Sequence, residues 1–224
     1  MAGTEIPRRL PRGTHGLDPE LVAASQRTRL LEAVGRAVAE KGYVGATIDD
    51  IVRRAGVSKK TFYEHFEDKE ECFLAAYEAA GEELWERVRE AHAARSDWLE
   101  RARAGIVAYL RWLAAEPALA RAFLIEVAAA GPRAAECRER VRDRYAGLMR
   151  ELQTDARAEL PSLTRLPDEI FHAVVAAIDD IVVRRIREAG AEGLPELEPI
   201  LMYLQVALLA GPQTAAESAQ ARTA

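Results

Sequence analysis

Two cysteines in 224 residues, Cys72 and Cys137, are too few and too far apart for a disulfide framework. A reducing cytoplasm is therefore the expected compartment, with each thiol a small buried residue rather than a redox sensor. No apolar run approaches the roughly 18 residues that a membrane span requires. Arg8, Arg9 and Arg12 are not followed by an apolar stretch, which predicts no secretory signal. The four histidines are scattered, and the chain has no HExxH, no glycine-rich phosphate loop and no nucleophile beside a base. His172 and Asp179 share one helix side without a third ligand at matching spacing, so no metal and no cofactor are expected. No alternating strand pattern and no internal repeat occurs. The expected fold is all-α.

Lysine is scarce as well. Only four of the 31 basic residues are lysines, Lys41, Lys59, Lys60 and Lys69, and all four fall within one short stretch. The net charge of −5 argues against indiscriminate nucleic-acid binding, yet its sign is unevenly spread. Residues 1–69 hold 12 basic and 10 acidic residues, against 19 basic and 26 acidic in the remainder. A mildly basic head on an acidic body suits a protein that presents one end to DNA. With 49% hydrophobic and 30% charged residues, the chain can bury one large or two smaller cores.

The most specific stretch is TIDDIVRRAGVSKKTFYEHFEDK, Thr47 to Lys69. Thr47 can cap a helix whose third residue is Asp50, a capping-box spacing. Ile48, Ile51, Val52 and Ala55 then form one apolar stripe, and Gly56 supplies the left-handed residue that closes a helix. Ser58 is a second N-cap, after which Phe62 and Phe66 share one face and are expected in the core. Lys59, Lys60, Thr61, Tyr63, Glu64 and His65 are left for the other faces, and Tyr43 is expected beneath the turn. Two short helices joined this way form a helix-turn-helix, whose second helix enters the major groove.

The run GYVGATIDDIVRRAGVSKKTFYEHFEDKEECFLAAYE, Gly42 to Glu78, together with the helix before it, closely resembles the DNA-binding domain of the TetR family of bacterial transcriptional regulators. The remaining two thirds resemble that family in size and helicity. The resemblance implies a homodimeric regulator, most often a repressor, that leaves a palindromic operator in double-stranded DNA when a small molecule of unknown identity binds the second domain. It places Thr47 and Lys69, each at a helix start, near phosphates, which the unpaired amides of helix N-termini also favour. It puts Ser58, Lys59, Lys60, Thr61, Tyr63 and His65 at or beside the groove. Lys59 or Lys60 can donate to guanine and Thr61 can meet a thymine methyl, while Tyr63 and His65 suit phosphates. Glu64 is expected to face solvent.

Along the chain, residues 1–17 read as a flexible basic arm, 18–67 as the DNA-binding domain of three helices, 68–210 as the effector-binding and dimerisation domain, and 211–224 as a flexible tail. About nine helices are expected. The first runs from Asp18 or later to about Lys41 and stops at Gly42. The fourth, capped by Asp68 with Glu71 at its third position, runs to about Ala94 as a lever between the domains. Others follow from Trp98 to just before Pro117, and over Pro117 to Ala130, Arg133 to Glu159, Asp168 to Ala189 and Leu197 to Leu209. The last of these is apolar nearly all round and needs cover on several sides. A subunit partner is one source of cover, and the resemblance implies a dimer interface built from the last two helices. Candidate liners of an effector pocket are Trp85, Trp98, Tyr109, Trp112, Phe123, Glu126, Phe171 and His172, for each of which ordinary packing is the competing explanation. Asp180 and Arg184 read as a surface pair. Two other functions stay open: a DNA-binding protein of the same fold without an effector, and a helical enzyme, for which no motif speaks.

Overall fold

The computed structural model describes residues 18–221, so the basic arm with Arg8, Arg9 and Arg12 lies outside the described residues. Ten α-helices and no strand occur among the described residues. Helix α1 (Pro19–Gly45) opens with Asp18 accepting from the Glu20 amide and with proline in the first turn, where its missing N–H is no loss. Gly42, at φ 73° and ψ 161°, lies in a region almost closed to other residues and bends the chain there. Helices α2 (Ile48–Ala55) and α3 (Lys59–His65) follow, then α4 (Lys69–Ala93), N-capped by Asp68 through the Glu71 amide.

The body comprises α5 (Trp98–Ala115), α6 (Pro117–Leu124), α7 (Pro132–Glu159), α8 (Asp168–Ala189), α9 (Glu198–Ala210) and α10 (Pro212–Gln220). Two departures from expectation matter. The helix expected over Pro117 to Ala130 breaks at Ile125 and continues as a 3-10 turn, Glu126–Ala129. The tail expected to be flexible from residue 211 instead carries α10. Gly211, at φ 95°, turns the chain, Pro212 starts the helix, and Ala215 is buried. The alanines of this segment are good helix formers and small enough to pack closely against α9.

Two apolar cores result. The body core gathers Leu110, Leu113, Leu152, Val174, Leu194 and Leu201, with one face of α9 turned inward. The head core joins Leu30, Val34, Ile51 and Phe62 to Cys72, Phe73 and Tyr77 of α4 and to Phe123, Val127 and Cys137. It therefore runs well past residue 67, into the first half of α4 and across to α6 and α7. Both thiols are buried in it, and burial pushes the Cys72 thiol up to about 12. Three of the six exposed large hydrophobic side chains among the described residues, Ile200, Tyr203 and Leu208, lie on α9.

Candidate nucleic-acid interface and effector cavity

The turn between α2 and α3 is built by local side-chain chemistry. The Thr47 hydroxyl accepts from the Asp50 amide at 3.2 Å, and the Asp50 carboxylate accepts from the Thr47 amide at 3.2 Å. Asp50 is also the acceptor for Lys41 Nζ and Arg53 Nη2, each at 2.6 Å. Lys41 foremost, then Thr47 and Arg53, hold its carboxyl well below the usual carboxylate range. Gly56 closes α2 at φ 66°, a conformation that costs other residues about 1–2 kcal/mol. Ser58 Oγ accepts from the Thr61 amide at 3.0 Å and starts α3. Phe62 and Phe66, with ring centroids 5.8 Å apart, anchor α3 in the head core.

The outward face of α3 is polar throughout. Tyr63 is 57% exposed, and Lys59 and Lys60 project into solvent beside Glu64. Neither lysine is unpartnered: Lys59 Nζ sits 2.8 Å from Asp49, and Lys60 Nζ 3.7 Å from Glu64. Such exposed pairs are weak and are readily exchanged for another anion. His65 is more enclosed. Its Nε2 lies 3.4 Å from Gln26 Oε1, and burial lowers its pKa, which favours the neutral ring. The ammonium of Lys69 points inward rather than out. It donates to the carbonyls of Tyr43 (2.6 Å) and Ala46 (2.9 Å) and lies over the Tyr43 ring, leaving one of its three N–H groups for an anion. Thr47 is likewise engaged by Asp50 through its hydroxyl.

That corner also receives a contact from the body that the sequence does not announce. Glu126 lies in the 3-10 turn after α6, with a largely buried carboxylate. It accepts from the Tyr43 amide at 3.3 Å and from Arg121 Nη2 at 3.3 Å. Arg121 Nε in turn donates to the Ala39 carbonyl at 3.2 Å. A Cβ at Gly42 would meet Glu126 Oε2 at 3.2 Å, so the glycine gives the carboxylate room to approach. Phe123, between these two residues, packs on Phe73 (5.6 Å) and Tyr77 (5.5 Å) of α4. Segment 121–126 thus clips the end of α1 to the start of the body.

Behind the clip, α4, α5, α6, α7 and α8, with Gln205 of α9, line a largely apolar cavity of about 120 Å³. Tyr109, Trp112 and Phe123 are in its wall; the other five candidates are not. Trp85 packs edge-on against Tyr145 beneath the Arg144 guanidinium. Trp98 is buried at the start of α5, where its amide bonds to Glu159. Phe171 is a core residue under Arg150, His172 pairs with Asp143 at the surface, and Glu126 belongs to the clip. The sequence reading missed the polar part of the wall. Asp179 accepts from Arg142 Nε at 3.1 Å and lies 3.7 Å from Arg138, among Tyr77, Tyr109 and Tyr145. Burial raises the Asp179 pKa against the pull of the two arginines. Asp180 and Arg184, one position along, form the surface pair at 3.0 Å.

Residues 30–76 match the family model for "Bacterial regulatory proteins, tetR family". The chain is 33% identical over 103 residues to the HTH-type transcriptional activator FasR of Mycolicibacterium smegmatis, a match covering 46% of this chain and 47% of that one. It is 35% identical over 85 residues to the HTH-type transcriptional repressor AcnR of Corynebacterium diphtheriae, covering 33% of this chain and 45% of that one. Both relatives are regulators of transcription rather than enzymes, and the chain spans about half the length of the curated relatives it matches. Among solved structures, the transcriptional regulator FadR from Bacillus subtilis in complex with stearoyl-CoA superposes with a TM-score of 0.67 at 18% identity, over 82% of this chain and 98% of that one.

Proposed function

From the match of residues 30–76 to the tetR family model, we propose that the whole chain is a homodimeric, sequence-specific transcriptional regulator whose hold on DNA is set by a small molecule in the body cavity. The observation that carries this is the division of α3: Phe62 is wholly buried, while Lys59, Lys60 and Tyr63 all face outward. In the proposed complex α3 lies in the major groove. Lys59 and Lys60 exchange Asp49 and Glu64 for base edges or phosphates, and Thr61 and Tyr63 flank them. Ser58, Thr47, His65 and Lys69 act from the edges, by capping helices and by offering their remaining hydrogen-bonding capacity to phosphates.

The exposed stripe of Ile200, Tyr203 and Leu208 on α9, beside α8, supports a two-fold interface there. A dimer so formed would read two half-sites of a palindrome about 34–36 Å apart. The clip supports a route for control, because Phe123 belongs to the cavity wall and packs on α4, while Glu126 holds α1. A ligand that shifts α6 acts on both attachments of the head, with a coupling of about 1–3 kcal/mol. Between repression and activation the relatives divide, and repression is the reading adopted.

The test is the triple variant Lys59→Ala/Lys60→Ala/Tyr63→Ala, assayed on a palindrome selected from random duplex DNA. With melting temperature and oligomeric state kept, affinity should fall by about 2–4 kcal/mol, some 30- to 1000-fold. A folded variant that binds like the parent removes α3 from the interface.

A further inference from the structure

Resting on the reading that the cavity takes an effector, we propose that this effector is an uncharged molecule, mainly hydrocarbon, whose hydroxyl group docks at the Tyr109–Tyr145–Asp179 end of the cavity. Five buried side-chain atoms among the described residues have no hydrogen-bond partner, and four of them belong to this one wall: Tyr109 Oη, Tyr145 Oη, His92 Nε2 and Gln205 Oε1. Buried polar groups are paired in the great majority of cases, so the two adjoining phenols without partners mark a place that suits a polar guest. The Tyr109 and Tyr145 rings stand edge to face 6.4 Å apart. Burial raises the pKa of both phenols, so each remains a protonated donor.

The charge of the guest follows from Asp179 and its partners. A carboxylate at this end would lie beside the buried Asp179 carboxylate, and an ammonium would lie beside Arg138 and Arg142. Asp179 takes Arg142 Nε at 3.1 Å and Arg138 at 3.7 Å, and Glu139 takes Arg142 Nη1 at 3.1 Å, so two guanidiniums face two carboxylates and the cluster carries no net charge. A hydroxyl suits both halves of the cluster: it can accept from a phenol while donating to a carboxylate oxygen. The rest of the wall, including Leu84, Ile106, Trp112, Leu148 and Met149, is hydrocarbon. It requires an apolar body on the same molecule.

The experiment compares four six-carbon probes, hexane, 1-hexanol, hexanoate and hexylamine, by displacement of a fluorescent apolar dye from the full chain. Expected is a preference of about three- to tenfold for 1-hexanol over hexane, the worth of one net hydrogen bond, with both charged probes weaker than the alcohol. In Tyr109→Phe/Tyr145→Phe the deleted hydroxyls have no partner to lose. The melting temperature without probe should hold or rise, and the alcohol-to-alkane ratio should fall towards one while hexane affinity stays. A preference for either charged probe, or a ratio that survives in the double variant, overturns the proposal. So does a double variant that loses stability with the ratio intact, which would mean the hydroxyls serve structural water. Equal binding of all four probes that still weakens DNA affinity would sink the hydroxyl inference and leave effector control standing. Binding by none of them would sink both.

Discussion

Glu126→Ala removes the acceptor that joins the body to the end of α1. Two losses add. The Tyr43 amide, half-buried, is left without its carboxylate partner at 3.3 Å, which costs about 1–2 kcal/mol. The ion pair with Arg121, whose side chain is about half exposed, contributes less than about 1 kcal/mol after solvent screening. Together they amount to about 2 kcal/mol, or about 4–8 °C in melting temperature for a chain of this size. Glu126→Gln separates the two. Its amide oxygen can still accept from Tyr43, so only the ion pair is lost, and the fall should be about 2 °C. Differential scanning calorimetry on the parent and the two variants reads the difference directly. If Gln and Ala fall equally, the carboxylate acts through its charge and not as an acceptor, and the clip as described is wrong.

Two further expectations concern the head and the response to acid. Phe62→Ala empties a fully buried site in a domain with a small core and should cost about 3–5 kcal/mol; circular dichroism melting would register this, and a shift under 1 kcal/mol would contradict the packing described. His92 and His65 both have pKa values lowered by burial, so the unfolded chain binds protons more readily than the folded one. Stability should therefore be complete above the unfolded value of about 6.5 and fall as pH drops through it. The slope of melting temperature against pH should shrink in His92→Leu and in His65→Leu, and most in the double variant; an unchanged slope would refute the assignment.

What could be read from the sequence was what neighbours in sequence decide. Thr47 with Asp50, Gly56, and Ser58 with Thr61 act within a few residues of one another, and the Phe62–Phe66 pair follows from one helical turn. The contacts that escaped reading join distant residues. Glu126 reaches Tyr43 across 83 positions, and Lys69 reaches Tyr43 across 26. Lys69 illustrates the difference. A lysine at a helix start reads as a phosphate ligand, but the bend at Gly42 turns two carbonyls towards it. The polar part of the cavity wall was hidden for another reason. Arg138, Arg142 and Asp179 look like surface charges on helices rich in arginine, and only the packing of α7 against α8 turns them inward. Of the three tryptophans among the candidate liners, Trp112 is in the wall, whereas Trp85 and Trp98 serve ordinary packing.

The absence of a seam at residue 67 bears on how such proteins can be recombined. A graft that exchanged only residues 18–67 for a foreign head would set new side chains against the resident Cys72, Phe73, Tyr77 and Phe123, which share one core with Leu30, Ile51 and Phe62. The smallest portable piece also takes in the first turns of α4 and the stretch around 119–137. Part of that stretch walls the cavity. Under the proposed function, operator preference and effector preference are therefore partly inherited together, and a new pairing of the two requires re-fitting of shared core residues rather than a simple exchange of ends.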